Sequence, residues 1–250
     1  MQKGARHLIR DTIVRELDHD PRFHWRGGSV TRIENLSDIV FALALGMIVS
    51  SGAPPRTFDE LTSQLITIVP MSAAFGVLFM IWNSHFVFFR RYGVADGPII
   101  FLNCILLLLV LFTAYPLRFI FDSFFGFIYG MATEDWAFMD AAGLTYRTSG
   151  IIMGYFAIGY GLIFLVISQM YAHALGKRDL LGLTSKEVAM TRQSVWFFRL
   201  EIIVVALVGY LAVFTPIRAF AGGLMFLFWP AGWLVGHFIP IPDGVDDDVN

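Results

Sequence analysis

The sequence predicts an all-α polytopic membrane protein with six transmembrane helices per chain and both termini on the cytoplasmic side. Three observations predict it. The 250 residues are 56% hydrophobic and only 15% charged, with a mean hydropathy of +0.65, whereas soluble domains carry roughly 25% charged residues. The apolar residues fall into long continuous runs, as a helix of roughly 20 residues crossing a hydrocarbon core requires. Barrel strands, the other backbone-satisfied solution in lipid, would read as short alternating segments. The Lys and Arg residues, lastly, concentrate on alternate connections, as orientation in a membrane demands.

Along the chain, residues 1–28 read as a cytoplasmic arm, 29–240 as a six-helix transmembrane domain and 241–250 as an acidic cytoplasmic tail. Within the arm, Leu8, Ile9, Ile13, Val14 and Leu17 fall near one helical face, a pattern equally suited to a surface-lying amphipathic helix and to a frayed end. Pro21, Gly27 and Gly28 break the chain before the first span. The spans are placed near 33–51, 64–89, 97–121, 149–173, 195–215 and 217–238. Gly52-Ala53-Pro54-Pro55 closes the first, Gly93 to Pro98 separates the second from the third, and Thr215-Pro216 turns between the last two. The stretch from Asp122 to Thr148, with Glu134, Asp135, Asp140 and Arg147, is expected to be the longest exterior loop. The tail after Asp243 is acidic and expected to be disordered.

With an even number of spans, the arm, the 90–91 junction and the 177–199 connection share one side. That side holds Lys3, Arg6, Arg10, Arg15, Arg22, Arg26, Arg32, Arg90, Arg91, Lys177, Arg178, Lys186, Arg192 and Arg199. The other holds Arg56, Arg118, Arg147 and Arg218. A split of 14 to 4 places the first group in the cytoplasm. The basic residues form no stripe with interleaved aromatics, so no nucleic-acid partner is expected. Cys104 is the single cysteine, lies in an apolar run and is expected to pack as a small core hydrophobe. The arm lacks an apolar stretch of signal-peptide length, so the first span is expected to direct insertion.

The residues with chemistry lie where charge runs into apolar helix. The first span opens Arg32-Ile33-Glu34-Asn35-Leu36-Ser37-Asp38 and continues into an Ala- and Leu-rich run. Such a cluster is costly in lipid unless it finds partners or water. Arg32 and Asp38 are six apart and share no face, so either is expected to pair across helices. The second span supplies Trp82 and His85, and the third supplies Asn103. By topology these sit in the cytoplasmic half with Ser37 and Asp38, where hydrogen bonds would hold helices together in a medium offering no hydrophobic drive for association. Ile39, Leu43, Gly46, Met47 and Ser50 line one face of the first span at spacings of three and four.

The Arg32…Ser37-Asp38 opening, the Trp82-x-x-His85 stretch, and Asn103 and Pro116 in the third span resemble the transmembrane protein 175 family of endosomal and lysosomal potassium channels. The resemblance covers residues 32 to about 120; the second half agrees only in helix count and topology. It implies a passive cation channel, potassium-selective or open to other monovalent cations. In that family the first helix of each repeat lines the pore. One six-helix repeat implies a homotetramer in a prokaryotic inner membrane, with potassium and the lipid bilayer as partners and no cofactor. Leu43 then takes the place of the family's hydrophobic constriction, and Arg32, Ser37, Asp38, Trp82, His85 and Asn103 that of a network locking the helices. Two positions depart from the pattern. Leu36 replaces a Phe, and Gly46 replaces a hydroxyl residue, usually Thr, leaving no side-chain oxygen for a partly dehydrated ion.

Other readings stay open at this point. Ordinary helix packing alone would account for Leu43, and His85 could sense protons as well as bond a neighbour. Gly159-Tyr160-Gly161 resembles a carbonyl filter but lies within an apolar span with no pore helix before it. A secondary transporter would use a broken helix, for which Trp229-Pro230 is the candidate, and a proton-conducting channel is the other alternative. An intramembrane enzyme would need Asp38 and His85 with His173 or His237, yet the sequence holds no His-Glu-x-x-His or Gly-x-Ser-x-Gly motif.

Overall fold

The computed structural model describes residues 23–28, 30–50, 55–217, 224 and 227–241. The amphipathic stretch 8–17, Arg218 and the acidic tail lie outside the described residues. Eight helices follow in order among the described residues: α1 (Arg32–Val49), α2 (Phe58–Ile66), α3 (Ile68–Tyr92), α4 (Gly97–Thr133), α5 (Ala137–Ala141), α6 (Tyr146–Gly176), α7 (Ser185–Phe214) and α8 (Phe228–Phe238). Four of them, α3, α4, α6 and α7, are long and apolar enough to cross a membrane. α1 carries Arg32, Glu34 and Asp38 in its first two turns and has 18 residues. α8 has 11 described residues, and most of the chain from 218 to 226 lies outside the described residues.

Local signals start and stop these helices. Thr31, Thr145 and Thr184 each close a capping box, with Glu34, Thr148 and Glu187 respectively, satisfying amide donors that have no partner inside the helix. Asp96 caps α4 by accepting from the Ile99 amide at 3.2 Å, and Pro98 sits in its first turn, where a missing N–H costs nothing. Gly93, at φ +60°, ends α3 in the left-handed conformation that glycine adopts without penalty.

The exterior stretch beginning at Asp122 is helix, not loop, for nearly its first half. α4 runs 37 residues to Thr133, about 55 Å, which exceeds a hydrocarbon core by many residues. Asp122 does not break it because both carboxylate oxygens accept from Arg118 one turn earlier, at 2.8 and 3.0 Å. After Glu134 the chain folds back through α5 onto the end of α4.

The bundle core joins α1, α3, α4, α6 and α7. Phe41, Ala44 and Ile48 of α1, Leu78, Ile81 and Phe88 of α3, Leu106, Val110 and Leu117 of α4 and Ile163, Ile167 and Met170 of α6 belong to one buried cluster. Small residues let α6 and α7 approach closely. A Cβ built on Gly154 would lie 2.6 Å from Val213 Cγ2, and one on Gly209 would lie 2.7 Å from Ala157 Cβ. Cys104, expected in the core, is instead exposed on α4, since its neighbours Asn103, Leu106 and Leu107 occupy the inward face.

The segment 23–28 is strapped across the bundle end. Phe23 is buried, edge-on to Tyr92 at 5.5 Å. The Arg26 guanidinium donates to the Leu181 and Gly182 carbonyls and to both Glu187 oxygens, at 2.7 to 3.0 Å. The Arg26 and Gly27 amides donate to the Arg90 carbonyl.

Candidate functional site

α1 presents two unlike faces. Glu34, Ser37, Phe41, Ala44 and Ile48, at alternating steps of three and four, are buried against α3 and α4. On the opposite side Ile39 is 66% and Leu43 56% exposed; Gly46 and Ser50 are also exposed and Met47 is half-buried. A helix turning large apolar side chains outward at helical spacing presents a surface its own chain does not cover.

The buried face begins with a directed chain of hydrogen bonds. His85 Nε2 lies 2.8 Å from Asn103 Oδ1. Asn103 Nδ2 donates to Ser37 Oγ at 3.0 Å, and Ser37 Oγ donates to the Ile33 carbonyl at 2.8 Å. With the amide so oriented, His85 is the donor through Nε2–H, a tautomer assigned from the network. Three helices are thus stitched at one depth: α3 by His85, α4 by Asn103, α1 by Ser37. His85 and Asn103 are 2% and 0% exposed, so each would pay a full desolvation cost without the other.

Asp38 bonds beside this chain. Trp82 Nε1 donates to its Oδ1 at 2.9 Å, and the indole stacks on Phe86 at 5.3 Å. Ser37, Asp38, Trp82, His85 and Asn103 therefore come together. Arg32 does not: it is exposed, with no partner among the described residues. Its expected ionic role falls to Arg90 of α3, whose guanidinium lies 3.3 Å from Glu34.

Two contacts of this site escaped the sequence reading. Glu34 serves twice, in the capping box of α1 and as the partner of Arg90; the Thr31-x-x-Glu34 spacing could have signalled the first role. At the far end of α1, buried Arg118 of α4 donates from Nη1 to the Ile48 carbonyl at 3.1 Å while its Nε serves Asp122. The i, i+4 spacing of Arg118 and Asp122 signals their pairing, but nothing in sequence marks a backbone acceptor on another helix.

The remaining candidate groups are held elsewhere. His173 of α6 lies 2.8 Å from Asp96, which also accepts from Lys177. Burial pushes the Asp96 carboxyl up, but hydrogen bonds from Lys177, His173 and the Ile99 amide outweigh it and hold the group at about 2. His237 stacks on Trp233 at 5.5 Å. The histidines an enzyme would gather around Asp38 are thus engaged by separate partners. Gly159, Tyr160 and Gly161 lie in unbroken α6 helix, whose carbonyls point along the axis and cannot form an extended filter.

Long apolar helices, a polar lock buried between three of them and an uncovered apolar face on the first define a polytopic helical membrane protein. Comparison with known proteins supplies the family. Residues 32–113 match the model described as endosomal/lysosomal potassium channel TMEM175. A potassium channel of Marivirga tractuosa is 35% identical over 179 residues, 70% of this chain and 72% of that one. A crystallised variant of the potassium channel MtTMEM175, in complex with a nanobody–MBP fusion protein, superposes with a TM-score of 0.74 at 31% identity, covering 88% of this chain and 97% of that one. A lysosomal potassium-selective TMEM175 homolog from Chamaesiphon minutus superposes with a TM-score of 0.48 at 19% identity, over 82% of this chain and 96% of that one. The chain belongs to the TMEM175 potassium channel family.

Proposed function

We propose that this protein is a passive potassium channel, a homotetramer whose pore is lined by four copies of α1. The observation that carries this reading is the division of α1 into a locked face and an uncovered one. Ser37, Phe41, Ala44 and Ile48 hold the helix within its own chain, leaving Ile39, Leu43, Gly46 and Ser50 outward. Around a fourfold axis the uncovered side chains become rings. Leu43, flanked by Ile39 and Met47, forms the narrowest, and an apolar constriction of this kind selects by dehydration and gates by dewetting. Gly46 adds no side-chain oxygen, so discrimination rests on the dimensions of the Leu43 ring. Six spans per chain, both termini in the cytoplasm and a prokaryotic inner membrane complete the proposal, supported by the 14 to 4 division of Lys and Arg.

The test is ion flux from liposomes containing the purified protein. Potassium flux well above sodium supports the channel and its selectivity; equal fluxes keep the channel and reject selection by Leu43. Leu43→Ala should widen the ring and lower the potassium-to-sodium flux ratio. An unchanged ratio with unchanged conductance would remove Leu43 from the constriction.

A further inference from the structure

Where α4 overshoots the bundle, α5 folds back to roof a cavity of about 240 Å³ between the ends of α4 and α6. The roof is built in. A Cβ on Gly126 would lie 2.5 Å from the Phe138 ring and one on Gly130 2.7 Å from the Trp136 ring, so α5 settles on a strip of α4 that only glycine leaves clear. The walls include Phe124, Phe127, Trp136, Tyr146, Met153 and Asp140. Phe127 and Trp136 pack at 5.8 Å between centroids, and the Tyr146 hydroxyl is turned away to the Pro216 carbonyl, leaving its ring to the cavity. The Asp140 side chain has no hydrogen bond or ion pair among the described residues.

The exposed charge around the cavity is mostly acidic. Asp122 is taken up by Arg118, but Glu134 and Asp135 are exposed beside the roof, with Arg147 as the nearest opposing charge along the chain. Aromatic faces attract cations through their quadrupole, most strongly where water is excluded, and an unpaired carboxylate among them supplies the matching charge. Asp140 is exposed, so its carboxylate stands at the mouth of the cavity beside the aromatic walls, where it meets an entering cation.

We propose that this cavity binds a small organic cation, a quaternary or protonated amine with a compact apolar group, using Asp140 as counter-ion and Trp136, Phe127 and Tyr146 as the aromatic enclosure. The site stands apart from α1 and goes beyond the channel reading without depending on it.

Calorimetric binding to the full-length protein in detergent tests it, with benzyltrimethylammonium as the probe and neopentylbenzene, its neutral isostere, as the control. The expected result is saturable binding of the cation, at least tenfold weaker in Asp140→Asn and at least tenfold weaker for the neutral isostere. Asp140→Asn keeps size and shape at an exposed position of α5, and an unshifted melting temperature verifies its fold. No saturable binding, equal binding by Asp140→Asn, or equal binding of neopentylbenzene overturns the proposal; the last would mark an apolar, acyl-chain cavity. Leu43→Ala should bind the cation with wild-type affinity, and its loss there would place the probe in the proposed pore and overturn this site.

Discussion

Asn103 is the residue on which the buried lock turns, because it alone both accepts from His85 and donates to Ser37. Replacing it with Leu removes two bonds and strands the His85 ring N–H where water does not reach, while the Ser37 hydroxyl keeps the Ile33 carbonyl. A buried group left without its partner costs about 1–3 kcal/mol, and polar contacts between membrane helices sit toward the lower end of that range. Asn103→Leu should therefore melt several degrees below the wild type in a detergent thermal-shift assay, and an unchanged melting temperature would remove Asn103 from the lock. Ser37→Ala should cost less, since Asn103 keeps His85 and the Ile33 carbonyl keeps its backbone partner within α1. The residues of this lock were legible because a Ser, a His and an Asn inside apolar runs have few places to go. Glu34 and Arg90 were not, because at a helix end they read as ordinary interfacial charges until their 3.3 Å contact is seen.

At the scale of elements, the joint between α4 and α6 makes a prediction in pH. Asp96 caps α4 and receives His173 and Lys177 from the last turn of α6 and the residue after it. Its carboxyl is held at about 2, below the ordinary 3.8. A depressed carboxyl stabilises the folded state above the unfolded value, and that contribution fades as pH falls toward the folded one. The melting-temperature difference between wild type and Asp96→Asn should therefore be constant down to about pH 5, then shrink through the window between 3.8 and about 2 and vanish below it. A difference that persists at the acid end would show that the carboxylate charge is not what Asp96 contributes. Helix existence was readable from apolar runs, and helix ends were not. Hydropathy reports where lipid begins, whereas α4 ends where Glu134 turns left-handed, beyond an Asp122 that Arg118 keeps in the helix. The same limit hid the α5 roof, whose glycine strip on α4 looks like a loop signal in sequence.

For the whole molecule, the strap at 23–28, the lock and the Arg118 contact hold α1 to its own chain at both ends, so each subunit is expected to fold before it assembles. Native mass spectrometry should then find a species of four times the 28.1 kDa chain mass. Asp38→Ala, which frees Trp82 Nε1 beside the subunit surface, should shift material from tetramer to smaller species. A wild-type distribution would refute that role. Subunit number was implied by resemblance alone; composition and periodicity carry no information about how many copies share an axis.

The split character of α1 also bears on how such a protein changes over time. Its inner stripe answers to folding, since a substitution at Phe41, Ala44 or Ile48 disturbs a packed core. Its outer stripe is free of that demand, since Ile39, Leu43 and Gly46 lie exposed and contribute little to the stability of a single subunit. Selection can therefore retune one stripe while the other stays fixed, and a designer can do the same. A library confined to positions 39, 43 and 46 should yield well-folded chains in far higher proportion than one at 41, 44 and 48.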